Sequence, residues 1–100
     1  MVTAYAISEV RIVDPASAQR YMRLAEASIG RHGGHYLVRA ADPTVPEGEW
    51  DEGRRVVVVE FSSMERLRQW YASDDYAEAL ALSTSALDRR LIFVPGYDGD

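Results

Sequence analysis

The sequence predicts an α+β fold, a four-stranded antiparallel sheet with helices packed on one of its faces. Three observations carry that expectation. Residues 54–61, RRVVVVEF, set four consecutive valines between turn signals, as in a strand buried on both faces and therefore central in its sheet. Residues 4–12 alternate strictly, with Ala4, Ala6, Ser8, Val10 and Ile12 on one face and Tyr5, Ile7, Glu9 and Arg11 on the other. Two stretches with apolar residues three and four apart, each opened by a helix-start signal, separate the strands.

The first strand, 4–12, has one face of small residues, which lets a helix approach closely. Asp14-Pro15 then starts a helix over 15–31, with the aspartate placed to accept from free amides and proline where no N–H is needed. His32-Gly33-Gly34 ends it, because glycine takes a left-handed cap without a Cβ clash. A second strand covers 35–39, with Tyr36 and Val38 on one face and His35, Leu37 and Arg39 on the other. The loop 40–53 carries two prolines, two glycines, five acidic residues and Trp50. That length marks a functional or mobile connection. Trp50 either anchors it on the body or reaches a partner subunit.

The central strand 54–61 follows, antiparallel to the second because no crossover helix joins them. Ser62 with Glu65 reads as a capping box, and Ser73-Asp74-Asp75 as a second start signal that breaks this helix. The last strand covers 90–95, and 96–100 is a polar tail. The order strand, helix, strand, strand, helix, strand is that of the split βαβ, or ferredoxin-like, arrangement. Right-handed crossovers put both helices on one face and the first and third strands in the centre.

At 100 residues the chain holds one domain, 1–100, with a core modest enough that a second subunit would help it. A net charge of −5 argues against nucleic-acid binding, which rests on basic residues displacing counterions. No apolar run approaches the roughly 18 residues of a membrane span, and the first residues lack the pattern of a signal peptide. With no cysteine, a soluble cytoplasmic protein is the expectation.

Two helices leave the opposite sheet face open, and period two puts Tyr5, Ile7, Leu37, Val56 and Val58 on it. Leaving them wet forgoes roughly 1.5 to 3 kcal/mol for each large one, so two copies stacked about a twofold axis, a dimeric α/β barrel, are expected. Glu9, Arg39 and Glu60 share that face with Tyr5 and His35. Either Arg39 forms a salt bridge that sets dimer register, or these groups line a pocket in which Glu60 acts as acid or base while Arg39 and Tyr5 hold an anionic ligand. His32 either caps its helix or serves as a general base. Trp70 and Tyr76 pack in the core or stack on a ligand. No metal-ligand spacing, dinucleotide fingerprint or nucleophile elbow is present, so no metal and no cofactor are expected.

HGGHYLVRA at 32–40, VVVEF at 57–61, WYASDDY at 70–76 and LIFVPG at 91–96 together resemble the family called domain of unknown function 1330. That family is similar in fold to dimeric α/β-barrel proteins, among them cofactor-independent antibiotic-biosynthesis-type monooxygenases and muconolactone-isomerase-like proteins. The resemblance implies the dimer and leaves the activity open. Two departures stand out: Ala40-Ala41 where members tend to have glycines, and Ser83 where the second helix often carries an arginine. Two functions follow: a cofactor-independent enzyme acting on a small organic molecule, neutral or anionic, by acid–base chemistry, or a non-catalytic small-molecule-binding or accessory protein.

Overall fold

The structure, a computed structural model, describes residues 2–98; of the expected tail, Gly99 and Asp100 lie outside the described residues. Its elements are β1 (Ala4–Ile12), α1 (Pro15–Arg31), β2 (His35–Ala41), β3 (Arg55–Phe61), α2 (Met64–Tyr71), α3 (Asp74–Ala86) and β4 (Leu87–Pro95). The sheet runs β2-β3-β1-β4, every neighbouring pair antiparallel, so the valine strand and the alternating first strand are central as their patterns require.

The small face of β1 lies against the helices, with Ala4, Ala6 and Ser8 buried. At that end of the sheet Phe61, Leu67, Trp70 and Tyr76 form the core. The Trp70 indole Nε1 donates to Ser28 Oγ at 3.0 Å, and that hydroxyl donates to the Ala25 carbonyl, so the buried indole has its partner. Gly34 has no room for a side chain, since a Cβ there would stand 2.6 Å from the Phe61 ring. Helices α1 and α3 pack through small buried residues, Ala18 and Ala25 on one and Ala79 and Ala86 on the other. Ion pairs Arg20–Glu78 and Arg31–Asp75 edge this contact.

The caps follow the sequence with two differences. Ser73 caps α3 by accepting from the Tyr76 amide, as its position predicts, and the helical segment divides there into α2 and α3. The cap of α2, however, is Ser63, which accepts from the Arg66 amide at 3.1 Å; expecting it at Ser62 was one residue early. Asp14 precedes α1, but its carboxylate accepts from the Ser17 hydroxyl and from no backbone amide. Gly33, at φ +77°, turns the chain out of α1.

Two larger differences shape the site. Strand β4 begins at Leu87, three residues earlier than expected, because α3 passes directly into extended backbone at φ −133°, ψ 148°. Strand β2 carries register shifts on both sides of Val38: Tyr36 opposes Val59, Val38 opposes Val58, and Ala41 opposes Val56. The shift turns Val38 to the open face and Arg39 to the helix face, reversing the side expected for each. Ala40, at φ +53°, occupies left-handed backbone, a conformation that favours glycine.

On the open face one apolar row crosses the whole sheet, Val38 beside Val58, Ile7 and Ile92. Ile92 is 55% exposed in the monomer. No helix among the described residues is long and apolar enough to cross a membrane.

Candidate functional site

Beside the Phe61 core, and sharing Trp70, Ala6 and Val59 with it, a cavity of about 310 Å³ lies between α1 and the sheet. Its walls are mainly apolar, from Ala6, Val57, Val59 and Leu91 of the sheet and Ala25 and Ile29 of α1. Small residues on both walls make the space, since alanine and serine stand where a core would normally place larger side chains.

The polar end is built by three residues far apart in the chain. Arg89 donates from Nη1 to the Tyr21 hydroxyl at 2.7 Å and from Nη2 to the Tyr76 hydroxyl at 3.0 Å, and the two hydroxyls are 2.7 Å apart. Tyr76 is wholly buried behind, while Tyr21 and Arg89 line the cavity. The Arg89 guanidinium also lies 5.2 Å from the centre of the Tyr21 ring.

Two phenols carry two protons, and the bond between them uses one. Either phenol can donate to the other; donation from Tyr76, which is wholly buried, leaves the free proton on Tyr21, which lines the cavity and also accepts from Arg89. Burial, with Tyr76 second, pushes the Tyr21 pKa well above the usual tyrosine value, so the phenol stays a donor. Burial works against the charge on Arg89, but the phenol oxygens around it outweigh that and hold its pKa above the ordinary arginine value.

Charge is concentrated here against the chain's overall sign. All eleven basic residues are arginines, and three from the helix face of the sheet, Arg39, Arg55 and Arg89, line this one cavity in a protein of net charge −5, with Arg11 of the opposite face at its border. Arg11 pairs with Asp88, Arg39 with Glu26 and Arg55 with Asp42. Arg89 has no carboxylate partner among the described residues, and no carboxylate or imidazole is among those lining the cavity. Nor do the described residues hold a cluster of His, Cys, Asp or Glu able to bind a metal.

The residues singled out from sequence fall into two groups. Arg39 and Trp70 line the cavity, and Tyr76 backs it. Glu60 and Tyr5 are on the opposite face, where Glu60 Oε1 accepts from His35 Nε2 at 2.9 Å and the Tyr5 hydroxyl accepts from Thr3. Glu9 pairs there with Arg90. Arg39 is therefore joined to neither open-face glutamate; it pairs with Glu26 on α1 and lies over the Tyr36 ring at 4.7 Å. His32 stands at the end of α1, its Nδ1 2.9 Å from the Ser28 carbonyl, and does not line the cavity. Trp50 is held to its own chain, donating to the Arg54 carbonyl.

Sequence reasoning missed Tyr21, Arg89 and Arg54. The signal for Arg89 was available, since Leu87, Arg89, Leu91 and Phe93 alternate with Asp88, Arg90, Ile92 and Val94, a period of two that extends the strand back to Leu87. Tyr21 was legible only as one residue of an apolar helix stripe. Arg54 is buried, donating to Asp51 and Asp88 carboxylates and to the Glu9 and Asp88 carbonyls, and so clips the acidic loop to the strand ends.

Compared with known proteins, residues 3–97 match one family over nearly the whole chain. The chain belongs to the family described as Domain of unknown function (DUF1330). No protein of curated function matches it. A protein of unknown function from Rhodopseudomonas palustris is similar at 20% identity, with 97% of this chain and 84% of that one covered and a TM-score of 0.78. A cofactor-independent oxygenase from Streptomyces nogalater is similar at 8% identity, covering 98% and 96% with a TM-score of 0.67. A dimeric ferredoxin-like protein of unknown function from Thermobifida fusca is similar at 18% identity, covering 92% and 89% with a TM-score of 0.62. These likenesses place this DUF1330 chain in the ferredoxin-like fold.

Proposed function

We propose that this DUF1330 protein binds a small, largely apolar organic anion between α1 and the sheet, its acidic oxygen held by Arg89 and the Tyr21 hydroxyl. The observation that carries the proposal is Arg89, a half-buried guanidinium with no carboxylate partner among the described residues, fixed by two phenols at the end of an apolar cavity. Convergent polar groups in an otherwise apolar cavity are the usual form of a small-molecule site. An incoming anion supplies the charge that Arg89 lacks, which makes the contact charge-assisted.

A second reading, that the bound molecule is also turned over without a cofactor, is favoured by the placement of those donors and by the fold shared with the Streptomyces nogalater oxygenase. Donors aimed at one point stabilise an enolate oxygen as charge develops on it. We assign to the Tyr21 hydroxyl a hydrogen bond to that oxygen and no proton transfer, since burial keeps the phenol protonated. Glu60 and His32 lie outside the cavity of the monomer.

The open face is proposed to bury its apolar row against a second copy of the chain, forming the dimeric barrel. Support comes from the row Val38, Val58, Ile7 and Ile92 and from the Thermobifida fusca protein, which is described as dimeric.

Anilinonaphthalene sulfonate, an apolar anion with a fluorescence response, tests the site. Titration should give saturable binding to the native protein, weakened by about tenfold or more in Arg89→Met. Equal affinity in the two proteins would remove Arg89 from the site and the proposal with it.

A further inference from the structure

Arg39 reaches the cavity only through irregular backbone. A regular β2 would put it on the open face; the register shifts around Val38 and the left-handed Ala40 deliver it to the helix face instead. Left-handed backbone costs about 1–2 kcal/mol in a residue with a Cβ, and such strain collects where a side chain has to be aimed. The conformation is not recovered as burial, because the Arg39 side chain remains 50% exposed. What it achieves is a guanidinium laid over the Tyr36 ring at 4.7 Å, at the edge of an apolar cavity whose lining includes no acid among the described residues. Stacking on the ring pre-orients the fork, so less side-chain entropy is lost when it takes a ligand.

The partner of Arg39 in this structure is Glu26, itself 53% exposed on α1. An ion pair so open to water is worth about 0–1 kcal/mol, and a second carboxylate displaces it readily. Arg89, at the Tyr21 end, has no such competitor among the described residues. The cavity thus has two cationic positions on different elements, one vacant of acid and one covered by a weakly held acid from the protein itself.

We infer that Arg39 is a second anion-binding residue of this cavity, covered by Glu26 until ligand enters, and that the cavity takes a two-headed organic acid with one acidic group at Arg89 and the other at Arg39. The inference rests on the reading of Arg89 as an anion site and adds the class of ligand. Arg55, lining the same cavity, is itself paired with Asp42 at 3.6 Å, so Arg39 is the cation uncovered at the β2–β3 end when Glu26 moves aside.

Displacement of anilinonaphthalene sulfonate by flexible acids tests it, because a flexible chain adapts to whatever separates the two arginines. Adipate, suberate and sebacate are compared with hexanoate, octanoate and decanoate on the native protein and on Arg89→Met, Arg39→Gln and Glu26→Gln. At least one di-acid is expected to displace the probe at about one-tenth the concentration of its mono-acid counterpart. Arg39→Gln should abolish that advantage, and Glu26→Gln should enlarge it by uncovering Arg39. Equal potency of di-acids and mono-acids throughout the series, or an advantage that persists in Arg39→Gln, overturns the inference. Mono-acids weakened by Arg89→Met would, in that event, leave the Arg89 site standing. If Arg89→Met binds probe and acids as the native protein does, the Arg89 reading falls first and the two-headed ligand falls with it.

Discussion

Tyr21 shows how one side chain acquires a role that its residue type only permits. Burial raises its pKa, and Tyr76 beside it adds to the effect, while Arg89 pulls the other way and loses. The same burial raises Tyr36. Below the ordinary tyrosine pKa of 10.0 both states of the chain keep these phenols neutral, so stability is insensitive to pH there. As pH rises through that value the unfolded chain ionises first, and folded stability falls steadily because the folded phenols resist ionisation. Urea midpoints should therefore drop between about pH 9 and about pH 11, and drop less in Tyr21→Phe. At neutral pH that variant should lose about 0.5–1.5 kcal/mol with its hydrogen bonds. A Tyr21→Phe curve parallel to the native one across the alkaline range would show that Tyr21 ionises freely in the fold.

At the scale of elements, β2 and the α3–β4 junction decide what the cavity contains. Period-two reading works on β1 because nothing interrupts its pairing, and its two faces fall as the alternation requires. The same reading fails on β2 beyond Tyr36, where the register shifts exchange Val38 and Arg39. The exchange removes a charge from the apolar row of the open face and brings it to the cavity. Its backbone requirement is testable at Ala40, whose φ of +53° suits glycine and excludes branched side chains. Ala40→Gly should be neutral or stabilising, and Ala40→Val should cost about 1–3 kcal/mol by chemical denaturation. In an ordinary strand the order would be the reverse, since valine favours strands and glycine weakens them. At the other junction, α3 has no glycine or proline to announce its end, and Leu87 fits the helical spacing before it as well as the strand alternation after it. That ambiguity hid Arg89.

For the whole molecule, the sheet divides function between its faces. Helices cover one side and leave a cavity under α1; the other side shows an apolar row between two polar ones, His35, Glu60 and Tyr5 on one flank and Glu9 and Arg90 on the other. Such a row is the expected centre of a twofold contact, with its flanks as rim. Sedimentation velocity should find the native protein dimeric and Ile92→Glu monomeric, because a charge at the middle of a buried row has no partner. The Ile92 side chain lies on the face away from the cavity, so probe binding should survive in the monomer. A native protein that sediments as a monomer would leave the row without a second copy to cover it.

The sequence by itself determined the number and order of the strands, which pair is central, the division of the second helical segment at Ser73 and the two faces of β1. These are local properties, written by backbone periodicity and capping chemistry within a few residues. Only the tertiary structure decided which charges meet in the cavity. Arg89 finds Tyr21 across 68 positions and Tyr76 finds Tyr21 across 55, contacts that arise when α1 and α3 pack over the sheet. The side of the sheet taken by Arg39 was likewise settled by pairing with β3, since a register shift is a relation between two strands and leaves no mark in the alternation of one.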